Sequence, residues 1–211
     1  MQTGSPFHLH RPGGAGIVGG DPDARQDVAM PYQIRPARDA DSSALSHVGQ
    51  ATFALASPPD SAPAALQHYI AHNLQPEHFL MHLQHPHKRL LVVEQAGQVV
   101  GYSMLDLAPG RLDITAAYHR VEISRFYLLP SAHGTGAAQR LLEATLVHAH
   151  GTVRLTVNEL NARAIRFYQR NGFRKVGEAV FPCGEERHRD WVMVRDAALS
   201  TNPIQPRPEH D

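Results

Sequence analysis

The sequence contains very little cysteine, and this excludes a disulfide framework. Cys183 is the single cysteine among 211 residues, so no intrachain disulfide can form. Because disulfides belong mainly to oxidising compartments, the composition fits a reducing one, and we expect a cytoplasmic protein. No His, Lys or Arg is adjacent to Cys183 in sequence, so we interpret this thiol as structural rather than nucleophilic.

Long apolar runs and an excess of charge of one sign are also missing. The longest purely aliphatic run covers only residues 90–93, far below the roughly 18 residues that cross a membrane. The 20 Lys and Arg residues balance the 20 Asp and Glu residues, so the broad positive field of a nonspecific nucleic-acid binder is absent. We therefore expect neither a membrane nor a nucleic acid as a partner.

The composition divides the chain into a folded middle and two tails. Residues 1–29 are rich in glycine, lack apolar periodicity and lack the apolar core of a secretory signal, which predicts a disordered leader. Met30 directly precedes the first predicted strand, so a translation start at that residue is the alternative to Met1. The proline-rich residues 198–211 predict a disordered tail, which leaves one domain over 30–197.

Hydrophobic periodicity and turn residues predict a mixed α/β order for this domain. Strands are expected at 32–35, 89–94, 99–107, 121–129, 153–157, 174–181 and 189–195, and helices at 41–56, 62–73, 77–84, 135–150 and 162–171. Asp39 or Asp41 is expected to cap the first helix. Residues 121–157 form a β-α-β pattern, so their two strands are expected to run parallel with a right-handed crossover.

A glycine-rich turn inside this β-α-β pattern is the first chemical signal. Residues 133–138, His-Gly-Thr-Gly-Ala-Ala, include two glycines that let the backbone approach a ligand closely. The first amides of the following helix have no internal acceptor, and such a terminus binds phosphate through several amide hydrogen bonds. For a Gly-x-Gly by itself, the alternative is a tight turn that binds nothing.

A dinucleotide-binding fold is one interpretation of this turn. That fold requires Gly-x-Gly-x-x-Gly or Ala and an acidic residue about 20 positions later. Gly134, Gly136 and Glu159 fit, but Gln139 at the third position is too large for close packing of helix on strand. The unit also stands alone late in the chain, behind helices and a hairpin, so we disfavour this interpretation.

The turn resembles the pyrophosphate loop of the GNAT superfamily of N-acetyltransferases. That family's pattern, Gln/Arg-x-x-Gly-x-Gly/Ala, is here His133-x-x-Gly136-x-Ala138. A second block one strand later, Asn-x-x-Ala-x-x-Phe-Tyr-x-x-x-Gly-Phe over 161–173, is similar to the family's other signature. The resemblance covers about residues 31–196. It implies a mixed, mostly antiparallel twisted sheet with one central parallel β-α-β unit, flanked by helices.

Within the superfamily, the chain resembles most the bacterial spermidine/polyamine acetyltransferases. The segments that carry this resemblance are Ala-Thr-Phe at 51–53, Glu-x-x-Arg-x-Tyr-Leu at 122–128 and Gly-Glu-Glu-x-x-x-Asp at 184–190. The resemblance implies acetyl-CoA as co-substrate, a primary amine of a polyamine-like small molecule or a peptide as acceptor, and a homodimer as one assembly. Glu185 and Glu186 either hold a basic acceptor or lie in a solvated hairpin.

The resemblance also assigns cofactor-binding residues. They are Phe126, Tyr127, Leu128, His133, Gly134, Thr135, Gly136, Ala137, Ala138, Asn158, Asn161, Ala164, Phe167 and Tyr168. Asn161 is expected to cap its helix as well. His133 departs from the family's Gln or Arg; an imidazole is mostly neutral at pH 7, so cofactor affinity is expected to rise as the pH falls. Arg166 and Arg170 are expected to cover the exposed face of their helix rather than reach the 3′-phosphate.

Direct acetyl transfer in a ternary complex needs an acid, a base and an oxyanion donor. Tyr168 is the acid candidate because a phenol with a pKa near 10 is protonated at pH 7; the alternative is a packed tyrosine with a satisfied hydroxyl. Glu122 is the base candidate, directly or through water, and the alternative is a surface or salt-bridged carboxylate. The amide of Leu128 or its neighbour is the expected oxyanion donor.

Two further interpretations complete the expectations. A non-catalytic acyl-CoA-binding sensor on the same fold is the functional alternative to an enzyme. His78, His82 and His85 lie at i, i+4 and i+7, a spacing that can bind a metal. No cysteine or carboxylate completes that set, so no metal is expected.

Overall fold

The secondary structure follows the predicted order, with small shifts at the ends of the elements. The computed structural model describes residues 32–118 and 120–197, so the predicted leader and tail lie outside the described residues. The described strands are β1 (Gln33–Pro36), β2 (Lys88–Gln95), β3 (Gln98–Asp106), β4 (Val121–Leu128), β5 (Val153–Asn158), β6 (Arg174–Cys183) and β7 (Glu186–Arg195). The described helices are α1 (Ser42–Ala56), α2 (Pro63–Asn73), α3 (Pro76–Gln84), α4 (Ala137–Val147) and α5 (Ala162–Arg170).

The strands form one sheet in the order β1-β2-β3-β4-β5-β7-β6. Only the central neighbours β4 and β5 run parallel, and every other neighbouring pair in this sheet is antiparallel. The β4-α4-β5 unit supplies the crossover that a parallel pair requires. The predicted fold class, a mostly antiparallel sheet with one central parallel β-α-β unit, is therefore confirmed.

The parallel pair separates soon after it begins. Pairing between β4 and β5 is confined to Val121 with Val153 and Glu122 with Arg154. On its other side, β4 stays paired with β3 up to Leu128, with a bulge that leaves Ser124 without a partner residue. Beyond residue 122, the β5-facing edge of β4 is therefore open, and a cleft runs between the two strands.

Helices cover both faces of the sheet. Helices α1, α2 and α3 pack on one face around Leu45, Phe79 and Tyr102. Helices α4 and α5 pack on the other face, where Leu142 and Ile165 are buried. Strand β2 is buried on both faces along 90–93, which explains its continuous aliphatic run. No helix within the described ranges is both long and apolar enough to cross a membrane.

The two predicted helix caps have different outcomes. Asn161 caps α5, because its side-chain oxygen accepts a hydrogen bond from the amide of Ala164 at 3.1 Å. Asp41 occupies the position before α1 but makes no capping hydrogen bond. Its carboxylate instead accepts two bonds from Arg35, at 2.7 and 2.8 Å, and this ion pair holds the pKa of Asp41 below its ordinary value of 3.8. The capping bond predicted for Asp41 is wrong because a tertiary partner competes for the carboxylate.

Candidate active site

The cleft between β4 and β5 brings together several residues from distant parts of the sequence. Residues 123–127 of β4 line one wall, and Asn158, Asn161, Ala164 and Tyr168 line the facing wall. Further lining residues come from α1, α2, β6 and β7: Phe53, Ala56, Tyr69, Phe181, His188 and Asp190. The cleft therefore contains residues of β4, of the second sequence block and of the late hairpin.

The open edge of β4 presents main-chain hydrogen-bonding groups to the cleft. The amide of Leu129 donates to the Val100 carbonyl at 2.8 Å. Because the groups of an antiparallel strand point alternately to its two sides, those of Leu128 and Phe126 point away from β3 and toward β5. The Leu128 carbonyl accordingly accepts a hydrogen bond from His133 Nε2 at 2.9 Å, on the β5 side. The Leu128 amide lies on this same side.

The glycine-rich turn forms a loop with free amides between the end of β4 and the start of α4. Gly134 and Gly136 have φ values of 76° and 88°, in the left-handed region that favours glycine, and a Cβ on either would meet nothing within 4 Å. The amides of Gly134, Thr135 and Gly136 have no acceptor among the described residues. The Thr135 hydroxyl donates to the Ala132 carbonyl at 2.8 Å, which fixes the loop. This loop and the start of α4 thus fit a phosphate group.

The structure corrects the expected role of His133. Its Nδ1 lies 2.8 Å from Nη1 of Arg163, and a guanidinium can only donate hydrogen bonds. The Leu128 carbonyl can only accept, so Nε2 carries the proton and the imidazole is neutral. Burial lowers the pKa of His133 below its ordinary 6.5, and the charge of Arg163 lowers it further against the effect of the Leu128 carbonyl. Stronger cofactor binding through a charged His133 near neutral pH is therefore not supported.

Tyr168 lies on α5 with its ring in the core and its hydroxyl at the cleft. The ring packs edge-on against Phe126 and Phe173, with centroid distances of 6.3 and 5.6 Å. Its hydroxyl bonds to no other described residue, although the side chain lines the cleft. Burial raises the pKa of Tyr168 above its ordinary value of 10.0, so the phenol is protonated at neutral pH. The alternative interpretation, a packed tyrosine whose hydroxyl is hydrogen-bonded within the protein, is therefore not supported by the described contacts.

Glu122 does not lie where a base for this cleft would be needed. It sits in the paired part of β4, before the strands separate, and does not line the cleft. Its carboxylate binds the buried Arg154, 2.7 Å from Nη2 and 2.8 Å from Nε. Arg154 also donates to the carbonyls of Ala117 and Gly110. Glu122 therefore neutralises a buried guanidinium that contacts the segment before β4, and the geometry favours the alternative interpretation, a salt-bridged carboxylate, over the base.

The geometry reveals an acidic group that the sequence analysis did not single out as a catalytic candidate. Asp190 of β7 is only 8% exposed and lines the cleft together with Tyr168. Burial raises the pKa of Asp190 above its ordinary 3.8, and the hydrogen bond from Asn158 Nδ2, at 3.3 Å, only partly offsets this. Glu186, His188 and Asp190 alternate along β7, so period-2 spacing was the available signal.

The other predicted residues occupy supporting positions. Phe167 stacks behind Phe126, with ring centroids 5.9 Å apart, and does not line the cleft. The side chain of Ala137 is fully buried, so this residue could contact the cofactor only through its main chain. Asn158 accepts a hydrogen bond from the Leu160 amide at 3.0 Å, which shapes the turn into α5. Cys183 is buried, and burial raises the pKa of its thiol, as expected for a structural cysteine.

The residues predicted to bind the acceptor, Glu185 and Glu186, and the three histidines considered for a metal do not line the cleft between β4 and β5. Glu185 is exposed, whereas Glu186 accepts a hydrogen bond from the Ala62 amide at 2.9 Å and contacts His188 at 2.9 Å. A second cleft lined by Asp60, Glu186 and His188 shares His188 with the first. In the described parts of the chain, no cluster of three or more His, Cys, Asp or Glu residues could hold a metal ion.

Comparison with known proteins identifies the family. Residues 53–173 match the model of the Acetyltransferase (GNAT) family. An uncharacterized N-acetyltransferase of Mycobacterium tuberculosis (strain H37Rv) is 38% identical over 160 residues, which cover 74% of this chain and 97% of that protein. The spermine/spermidine N(1)-acetyltransferase of Bacillus subtilis (strain 168) is 33% identical over 105 residues, covering 47% of this chain and 64% of that protein.

A solved structure shows the same fold. The PaiA N-acetyltransferase of Thermoplasma acidophilum, crystallised in complex with coenzyme A, superposes with a TM-score of 0.66 over 80% of this chain and 100% of that one, at 19% identity. The predicted family rested on two short blocks, and both lie within the region that the family model matches. The chain belongs to the GNAT family of acetyltransferases.

Proposed function

We propose that this protein transfers the acetyl group of acetyl-CoA to a primary amine of a polyamine-like small molecule or a peptide, by direct attack in a ternary complex. The observation that carries the proposal is that the open edge of β4 and Tyr168 share one cleft, while the loop with free amides follows β4 and contacts α5 through His133 and Arg163. Family membership supports acetyl-CoA as the co-substrate. The spermine/spermidine relative supports a polyamine-like acceptor.

The cofactor would bind along two sets of main-chain groups. Amides of residues 134–138 would hold its diphosphate at the start of α4, where a helix terminus favours an anion. Phe126 and Leu128 would pair with the amides and carbonyls of its pantetheine arm, much as a further strand would pair with β4. Asn161 and Ala164 would bound the arm from the α5 side.

The chemical step needs proton transfers at two positions in the cleft. Acetyl-CoA supplies an activated thioester, so the amine nitrogen forms a bond to the carbonyl carbon while the C–S bond breaks and the sulfur leaves as a thiolate. The amide of Leu128 or of its neighbour, whichever does not pair with the pantetheine arm, would donate to the carbonyl oxygen as negative charge develops there; the loss of one such donor typically costs about 2.7–4 kcal/mol. Tyr168 would donate its phenolic proton to the thiolate.

We assign the base role to Asp190. A protonated amine would first be drawn to this carboxylate and then lose its proton to it. Because burial raises the pKa of Asp190, its carboxylate is a stronger proton acceptor than an exposed one, which suits general-base catalysis near neutral pH. Asn158, across the β5–β7 pair, holds the carboxylate in place.

An acceptor panel tests this function. Polyamines, amino acids, aminoglycosides and peptides would be offered with acetyl-CoA, and release of free thiol would be followed. We expect release with at least one amine and much less with the same compound N-acetylated beforehand. Acetyl-CoA binding with no release across the panel would favour the sensor instead, and thermal protection by NAD without protection by acetyl-CoA would favour a dinucleotide-binding protein.

A further inference from the structure

Arg163 is placed unusually for an arginine on an exposed helix face. It lies in the first turn of α5, next to the capping Asn161, and its side chain is exposed. Its guanidinium does not turn toward a carboxylate: no ion pair joins it to an acidic side chain within 32–118 or 120–197. It reaches instead to the loop after β4, where Nη1 donates to His133 Nδ1 at 2.8 Å.

The neutral imidazole of His133 lies between Arg163 and the Leu128 carbonyl and connects the two by hydrogen bonds. His133 donates through Nε2 to the Leu128 carbonyl and accepts at Nδ1 from Arg163, so both ring nitrogens are used. The side chain therefore has no donor left for a phosphate. Arg163 has several, because a guanidinium carries further N–H donors beyond the one that His133 accepts. The Arg163 donors stand beside the loop whose glycine amides are free.

We infer that Arg163 binds the diphosphate of the cofactor and that His133 positions it, so that the fixed positive charge of the loop is supplied by α5. This inference rests on the function proposed above. Guanidinium groups bind phosphate oxygens through short, charge-assisted hydrogen bonds that are stronger than those of neutral donors. The charge would complement the loop amides, which supply donors but no net charge.

The test measures binding rather than turnover. Coenzyme A, dephospho-coenzyme A and acetylpantetheine would be titrated calorimetrically into the full chain and its variants. Arg163→Gln should raise the Kd for coenzyme A by about 10- to 100-fold, the range for a lost charge-assisted hydrogen bond. It should raise the Kd for dephospho-coenzyme A equally and leave acetylpantetheine binding unchanged. Arg170→Gln, which removes the same charge about 10 Å further along the helix axis, should change each Kd less than twofold.

His133 variants test the positioning role. A glutamine at 133 can donate to the Leu128 carbonyl and accept from Arg163, so His133→Gln should retain the Kd for coenzyme A, whereas His133→Leu should raise it. In the Arg163→Gln background, His133→Leu should add little, because the group that it positions is already absent.

Several outcomes would overturn the inference. The first is an unchanged Kd for coenzyme A in Arg163→Gln. The second is a loss of affinity in this variant for coenzyme A alone, which would place Arg163 at the 3′-phosphate. The third is an equal loss of affinity for acetylpantetheine, which would indicate a damaged cleft. A wild-type chain that binds none of the three ligands would instead contradict the proposed function itself.

Discussion

The Tyr168 hydroxyl provides the sharpest test of the proposed chemistry, because its removal should affect the reaction and little else. Tyr168→Phe keeps the ring contacts with Phe126 and Phe173. No hydrogen bond to another described residue is lost, so the free energy of unfolding should change by less than about 0.5 kcal/mol, below the net value of a typical intramolecular bond. The Kd for acetyl-CoA should stay within about twofold.

The rate of the chemical step should fall much further. General acid catalysis contributes about 100- to 10,000-fold, so we expect the single-turnover rate of thiol release to fall at least about 100-fold, or about 2.7 kcal/mol of activation free energy. Single-turnover measurement matters because steady-state kcat also reports product release. Tyr118→Phe is the control: that ring lies under Arg111, outside the cleft, and its variant should react at the wild-type rate.

Two results would refute the assignment of the acid. A wild-type single-turnover rate in Tyr168→Phe would show that the thiolate takes its proton elsewhere. A parallel loss of rate, acetyl-CoA binding and thermal stability would show that the hydroxyl supports the fold rather than the reaction.

Three further predictions follow from buried contacts. Glu122→Gln should lower the free energy of unfolding by about 1–3 kcal/mol, because Arg154 loses its charge partner. The single-turnover rate of thiol release should stay within twofold of wild type, and a large loss of rate in folded protein would show that Glu122 is the base. Asp190 holds its proton to a higher pH in the folded state, so the contribution of this group to wild-type stability is lost as the pH rises from about 3.8 through its raised folded-state pKa. Asp190→Asn should gain stability relative to wild type across that range and lose turnover, as urea unfolding from pH 3 to 8 and thiol release would show. Gly101→Ala should cost about 1–3 kcal/mol in urea unfolding, since its Cβ would lie 2.8 Å from Leu128 Cγ, and wild-type stability would contradict this.

The order of the elements could be predicted because local patterns specify it. The apolar spacing of α4 and the Asn161 cap of α5 act within a few residues, and both elements form as expected. Strand ends were less accurate. Strand β7 begins three residues before the predicted Arg189, because Glu186 pairs with Cys183 across the hairpin and such pairing is set between strands.

The site could be predicted where a short motif carries it and not where distant residues create it. The loop at 133–138 and Tyr168 lie in contiguous blocks, and the fold joins the two blocks through the contact between His133 and Arg163. The ion pair of Glu122 could not be predicted, because its buried partner, Arg154, belongs to the neighbouring strand. Asp190 was overlooked because only the β5–β7 pairing brings it opposite Asn158, at the open end of the cleft.

His133 shows what a motif position requires when its usual residue is absent. In this chain the residue at the position donates a hydrogen bond to the Leu128 carbonyl and accepts one from Arg163. A glutamine amide and a neutral imidazole can do both, whereas an arginine can only donate and would place two guanidinium groups side by side. The family pattern allows either glutamine or arginine here. In this chain, with Arg163 beside the loop, the histidine therefore makes the two hydrogen bonds that a glutamine could make, and we infer that α5 supplies the positive charge that an arginine would contribute.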